Sequence, residues 1–190
     1  MLSVYSWITL TLWVGCFGWL ALSARSASQE VSVYDQKPLL ARIFKVVFLL
    51  ATFGIIYEPR WFGLAPAVER NSRVLGFLGA IFCATGVTLI ALARRALGRN
   101  WSDLVLLKEN HQLVRTGPYR WIRHPLYTGL LLALLGSALT SENRAGYAII
   151  GFCFVGLLVK SRKEEKLLAR QFPMYGEYQR RVRAFVPFVF

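Results

Sequence analysis

The chain has 190 residues, 55% of them apolar, with positive mean hydropathy and a net charge of +13. A soluble domain of this length seldom carries so much apolar surface, and here it falls in blocks with the charges between them. This excludes an ordinary soluble fold and predicts an all-α membrane bundle of about five transmembrane helices, which satisfy their backbone groups internally.

The first apolar block runs from Tyr5 to Ala24. It lacks the basic start of a signal peptide and is read as a span. The second runs from Ala41 to Tyr57, with Arg42 and Lys45 placed to snorkel at its start, and the third from Val74 to Ala93. Residues 1–93 therefore hold three spans. Residues 94–190 hold two more and most of the polar chemistry, within a single membrane domain. The fourth block, Leu126 to Thr140, and the fifth, Ala145 to Val159, are separated only by Ser141, Glu142, Asn143 and Arg144, which predicts a helical hairpin. Each is short against the ~20 residues of a full span. They are expected to run past the apolar core or to cross where the bilayer is thin. Cys16, Cys83 and Cys153 lie in three different blocks without ligand spacing, so small buried hydrophobes are expected and neither a disulfide framework nor a metal site.

Lysines and arginines divide unevenly between the two sides of this bundle. Segments after the first, third and fifth blocks carry nineteen, and the opposite side carries four. The positive-inside rule then puts the N-terminus outside and the C-terminus in the cytoplasm. The basic charge is accounted for by topology and contact with membrane lipid. No recognition motif accompanies it, so nucleic acid is not an expected partner.

Two polar segments flank the hairpin, 94–125 and 160–190, and can meet in space. The first holds His111-Gln112-Leu113-Val114, Gly117-Pro118-Tyr119 and Arg123-His124-Pro125-Leu126-Tyr127-x-Gly129. Pro125 suits the first turn of the fourth helix, since its missing N–H would have no partner there. His124 then sits beside unpaired backbone N–H groups, which favour an anionic ligand group. An ordinary helix entry with a snorkelling Arg123 and an interfacial Tyr127 explains the same residues. The second segment is expected to form a cytoplasmic C-terminal helix after the hairpin. In it Glu164, Leu168 and Phe172 are spaced by four and share a face, with Glu165 about 100° round. Glu164 on that stripe needs a partner, either an ion pair with Arg123 or another loop cation, or a cationic ligand. Pro173 is expected to end or kink the helix. Trp101, Tyr119, Trp121, Tyr127, Tyr175 and Tyr178 can form an interfacial belt or line a site for a sulfonium or ammonium ion.

With these residues in place, the chain resembles the isoprenylcysteine carboxyl methyltransferase family. The resemblance covers roughly Gly98 to Pro187. It rests on Gly98-x-Asn100-Trp101, His111-x-Leu113-Val114, Gly117-x-Tyr119, Arg123-His124-Pro125-x-Tyr127, Glu164-Glu165 and the tail Phe172, Tyr175, Tyr178, Val182, Phe185 and Pro187. Related membrane reductases and phospholipid methyltransferases carry strings similar to Arg-His-Pro-x-Tyr-x-Gly. The resemblance implies S-adenosylmethionine as methyl donor and a lipophilic, membrane-partitioned acceptor, prenylated acceptors included. It also implies cofactor contacts from His111, Gln112, Leu113, Val114, Tyr119, His124, Pro125, Leu126, Tyr127 and Glu164.

The family's arginine for the acceptor carboxylate falls at Lys160 here, with Arg162 two residues on. Lysine supplies charge without a bidentate fork. Arg123, Lys160, Arg162 and Glu165 form the expected reaction-bearing set: cations that orient the acceptor, and a carboxylate that could act as base if the acceptor must lose a proton. His111 is the other candidate base. Three alternatives stay open: methyl transfer to a phospholipid amine or small thiol, a nicotinamide-dependent membrane reductase, and a non-enzymatic protein of the same fold. Related reductases tend to carry an acidic residue after Tyr-x-Gly, where this chain has Leu130.

Overall fold

The computed structural model describes residues 3–24, 33–34, 46, 49–50, 53–54, 72–98, 106–107, 113–142 and 144–186. They form helices α1 (Val4–Ala24), α2 (Arg73–Leu97), α3 (Pro125–Ser141), α4 (Arg144–Gln171) and α5 (Tyr175–Arg181). Strands β1 (Val33–Tyr34) and β2 (Leu106–Leu107) pair antiparallel, Val33 opposite Leu107. The second expected span falls mostly outside the described residues. Residues 46, 49–50 and 53–54 are helical, and the Phe53 ring meets Trp13 of α1 edge-on at 5.3 Å. Among the described residues three helices are long and apolar enough to cross a membrane, Val4–Ser23, Arg73–Leu97 and Ala145–Gln171, and Pro125–Ser141 is a shorter apolar helix. The protein is an integral membrane protein.

Helix boundaries follow local chemistry. The Ser72 hydroxyl accepts from the Leu75 N–H and caps α2. Pro125 opens α3 without loss of a backbone bond. The helix expected after the hairpin is not a separate element. α4 continues without a break from the apolar stretch ending at Val159 through Gln171, so the polar residues 160–171 carry it about three turns beyond its apolar, membrane-crossing part. Phe172 and Pro173 then end it, as proline's missing N–H requires.

The bundle closes around glycine. In α2, Gly79 and Gly86 face Gly136 and Gly129 of α3, and backbone meets backbone. A Cβ at Gly79 would lie 2.6 Å from the Gly136 carbonyl oxygen, and one at Gly129 would lie 2.7 Å from that of Gly86. With no hydrophobic drive between helices in lipid, such close approach supplies the packing. α1 joins through buried polar groups: Ser6 Oγ donates to the Thr140 carbonyl at 3.1 Å, and Trp13 Nε1 donates to Ser137 Oγ at 2.9 Å. At the other end Arg94, 4% exposed, donates to the carbonyls of Ser23 and Gly98 and so joins the ends of α1 and α2. Cys16, Cys83 and Cys153 are free and buried, filling space as small hydrophobes do.

Candidate active site

The mouth of α3 is built from two distant stretches of chain. Residues 122–124 pair with the tail after α5: Ile122 and Arg183 form a parallel bridge, the Arg123 N–H donates to the Arg183 carbonyl at 2.8 Å, and the His124 N–H donates to the Ala184 carbonyl at 3.0 Å. Thr128 Oγ1 donates to the Phe185 carbonyl at 2.8 Å, and Tyr178 Oη to the Tyr119 carbonyl at 2.6 Å. The Phe185 ring, 2% exposed, lies against His124, Tyr127 and Phe154 with centroids 5.7, 6.5 and 5.9 Å away. The tail thus forms one wall of the site.

His124 stands between two carboxylates. Its Nε2 is 2.9 Å from Glu165 Oε1 and its Nδ1 is 3.8 Å from Glu164 Oε2. Arg123 Nε donates to the same Glu165 oxygen at 2.7 Å, and Gln179 Nε2 donates to the other at 2.9 Å. The Arg123 Nη1 group donates to the carbonyls of Gln179 and Val182, which places the guanidinium at the end of α5, where cations are favoured. Burial alone would raise the Glu165 carboxyl, but hydrogen bonds from His124 and Arg123, and their charge, hold it down at about 2. Burial pushes the Tyr178 phenol up to about 12 against the pull of Arg123 and Arg115, and burial also raises Tyr119 and Tyr175, so all three stay neutral donors at neutral pH.

Glu164 is arranged differently. Tyr127 Oη donates to its Oε1 at 2.5 Å, and Lys160 Nζ lies 4.0 Å from the same oxygen. The Tyr127 ring stacks on His124 at 5.4 Å, while the Lys160 ammonium sits 5.5 Å from the Tyr127 ring centroid. An aromatic face and a carboxylate together therefore already seat a cation.

Arg123, His124, Tyr127, Lys160, Glu164 and Glu165 converge as one cluster. Arg162 lines a cleft of about 300 Å³ beside it with Arg123, Glu165, Gln179 and Arg183. Two sequence expectations are corrected. Arg123 pairs with Glu165, not Glu164, and Glu165 is the more enclosed side chain, 13% against 26% exposed. The apolar stripe misjudged this because the protein partner of α4 at this level is polar, the Arg123–His124 pair. Leu126, partly buried, packs against the hydrophobic core. Pro125 is buried and sets the start of α3. Leu113 and Val114 are half-buried ahead of the turn that holds Tyr119, while His111 and Gln112 lie outside the described residues. Sequence reasoning missed Thr128, Gln179 and the docking role of Arg183 to Phe185. A single parallel bridge between segments some sixty residues apart leaves no periodic signal.

A family model described as phospholipid methyltransferase matches residues 74–174, more than half of the chain and most of this cluster. The chain belongs to that family. It is 35% identical over 129 residues to the cobalt-zinc-cadmium resistance protein CzcN of Cupriavidus metallidurans, covering 66% of this chain and 59% of that protein. It is 32% identical over 122 residues to the protein-S-isoprenylcysteine O-methyltransferase of Saccharomyces cerevisiae, covering 62% of this chain and 51% of that protein. The matched stretch is thus little more than half the length of either relative. A solved structure of a eukaryotic intramembrane Ras methyltransferase, the isoprenylcysteine carboxyl methyltransferase, superposes with a TM-score of 0.54 at 24% identity, covering 81% of this chain and 54% of that one. That likeness concerns the fold. The resemblance first drawn from Arg123-His124-Pro125-x-Tyr127 and Glu164-Glu165 is thus met again in the sequence comparison, and the fold is shared.

Proposed function

We propose that this protein transfers a methyl group from S-adenosylmethionine to a lipophilic acceptor bearing a carboxylate, at the polar end of α3 and α4. The observation that carries the reading is the cation seat formed by Tyr127 and Glu164 beside His124, at the mouth of a short membrane helix. A sulfonium ion asks for that chemistry, an aromatic face and a carboxylate. Glu164, Tyr127, His124 and Tyr119 are the residues that would hold the cofactor, with the 111–114 segment expected to join them. When bound, the cofactor supplies an electrophilic methyl carbon.

The chain's own part is placement. A carboxylate acceptor is ionised at neutral pH and needs no base. Lys160, whose ammonium rests on the seat in this structure and would give way to the sulfonium, supplies the positive charge that orients it. Positioning and exclusion of water then do the work. An amine or thiol acceptor would have to lose a proton. Glu165, held at about 2 and engaged by Arg123, His124 and Gln179, is a weak proton acceptor, so the base role expected for it is withdrawn. Its role is to fix Arg123 and His124. Arg162 points into the neighbouring cleft, which leaves Lys160 as the acceptor cation.

The name of the bacterial relative concerns metal resistance. Among the described residues no group of three histidine, cysteine or acidic side chains is placed to hold a metal. In the proposed orientation the N-terminus is outside and the cluster faces the cytoplasm, as the distribution of lysine and arginine supports. Calorimetry in detergent tests the cofactor. S-adenosylmethionine should bind, and Glu164→Gln should weaken binding. Binding of a nicotinamide nucleotide instead would replace this reading with the reductase.

A further inference from the structure

The cleft beside the His124 cluster carries three arginines, Arg123, Arg162 and Arg183. Arg123 is engaged by Glu165 and by the carbonyls of Gln179 and Val182. Arg162 and Arg183 are exposed, and neither side chain has a hydrogen-bond or ion-pair partner among the described residues. Like charges gathered on one cleft favour uptake of an anion. The remaining wall mixes the apolar Leu158, Ala184 and Phe185 with Ser161, Gln179 and the Glu165 carboxylate, whose charge is met by Arg123.

The same face of α4 continues away from the cleft as an apolar stripe. Val155, Val159 and Arg162 follow at spacings of four and three, so they share a face. Val155 and Val159 are 58% and 52% exposed, and Phe152, one turn further, is 68% exposed. Exposed side chains of this kind on a membrane span face hydrocarbon. The stripe ends where the charge begins. A free anion would use only the cleft, whereas a phospholipid uses both, its acyl chains on the stripe and its headgroup phosphate in the cleft. Arg162 projects about 200° from Lys160 around α4, so this face is not the one that carries the Tyr127–Glu164 seat.

We propose that the cleft binds an anionic phospholipid, its phosphodiester held between Arg162 and Arg183 and its chains lying along Val159 and Val155. This site is separate from the seat for the methyl donor. Its inner wall is the Arg123–Glu165 pair, so an occupied cleft braces the docked tail at Arg183 to Phe185.

The test uses the full chain in neutral detergent, with thermal unfolding followed against added phosphatidylglycerol, phosphatidylcholine, inorganic phosphate or S-adenosylmethionine. Phosphatidylglycerol should raise the melting temperature. Arg162→Gln and Arg183→Gln should each weaken its apparent affinity about fivefold, the worth of one basic side chain at an anionic surface. The double substitution should abolish the shift, and Arg180→Gln, in α5 and outside the cleft lining, should keep it. Native mass spectrometry of lipid retained by the single variants gives a second readout should the double variant fail to fold. The proposal is overturned by an undiminished shift in the double variant, or by equal loss in Arg180→Gln. It is also overturned by equal stabilisation from phosphatidylcholine or inorganic phosphate, or by displacement of the lipid by S-adenosylmethionine.

Discussion

Glu164 and Glu165 are neighbours in sequence and differ in what their oxygens touch. Glu165 accepts from Arg123, His124 and Gln179, so its bonding capacity is taken up by the protein. Glu164 accepts from Tyr127 and lies near one ammonium, and is about a quarter exposed. Glu165→Gln should therefore lower stability by about 1–3 kcal/mol, the range for a hydrogen-bonded charged group. Glu164→Gln should leave stability nearly intact and reduce affinity for S-adenosylmethionine. Denaturant titration and calorimetry separate the two, and equal effects in both assays would contradict the assignment. Acid gives an independent check. The Glu165 carboxyl is lowered from 4.5 to about 2 on folding, so its contribution is complete above 4.5 and is lost as pH falls toward 2. Wild type should lose stability across that window, and Glu165→Gln should lose less. The type and spacing of these residues could be read from sequence, and so could Pro125 at the helix start. The partner of Arg123 could not, because helical periodicity ranks faces by apolarity and the face that receives Glu165 is polar.

Helix packing holds this cluster in place, above all that of α2 on α3. Gly86 and Gly129 bring two backbones together at the level where α3 presents His124 and Tyr127 a turn or so away. A side chain at Gly86 meets the Ala133 N–H and the Gly129 carbonyl at 2.5 Å, neither of which can yield as a flexible side chain does. Gly86→Leu should force the helices apart and cost at least about 2–3 kcal/mol, in the upper part of the range for overpacking. Leu92, in the same helix and 47% exposed, offers the comparison: Leu92→Ala should be near neutral. Unfolding in mixed micelles measures both, and a silent Gly86→Leu would contradict the close approach. The four apolar blocks that correspond to described helices were legible from hydropathy, with ends within a few residues. That the fifth block runs past its apolar core was among the expectations; that it merges without a break into the polar helix after it was not, because charge density rises at Lys160 while helix propensity does not fall until Pro173.

Across the bundle as a whole, the short hairpin brings two polar segments to one end, and the tail then seals that end by pairing with residues 122–124. This geometry explains why a chemistry spread over some sixty residues becomes one site. The proposed orientation rests on the distribution of charge. With Arg181→Cys as a single introduced label in a background whose buried cysteines are left in place, an impermeant thiol reagent should not modify intact cells but should modify opened ones. Ready labelling of intact cells would invert the topology. Methyl transfer itself is tested with purified protein, methyl-labelled S-adenosylmethionine and a prenylcysteine analogue, with label followed into the organic phase. Base-labile label should appear on the acceptor carboxylate, with a raised apparent KM in Lys160→Ala and no transfer in Glu164→Gln. Absence of transfer to any carboxylate acceptor, with label appearing instead on an amine or thiol, would contradict carboxyl methylation.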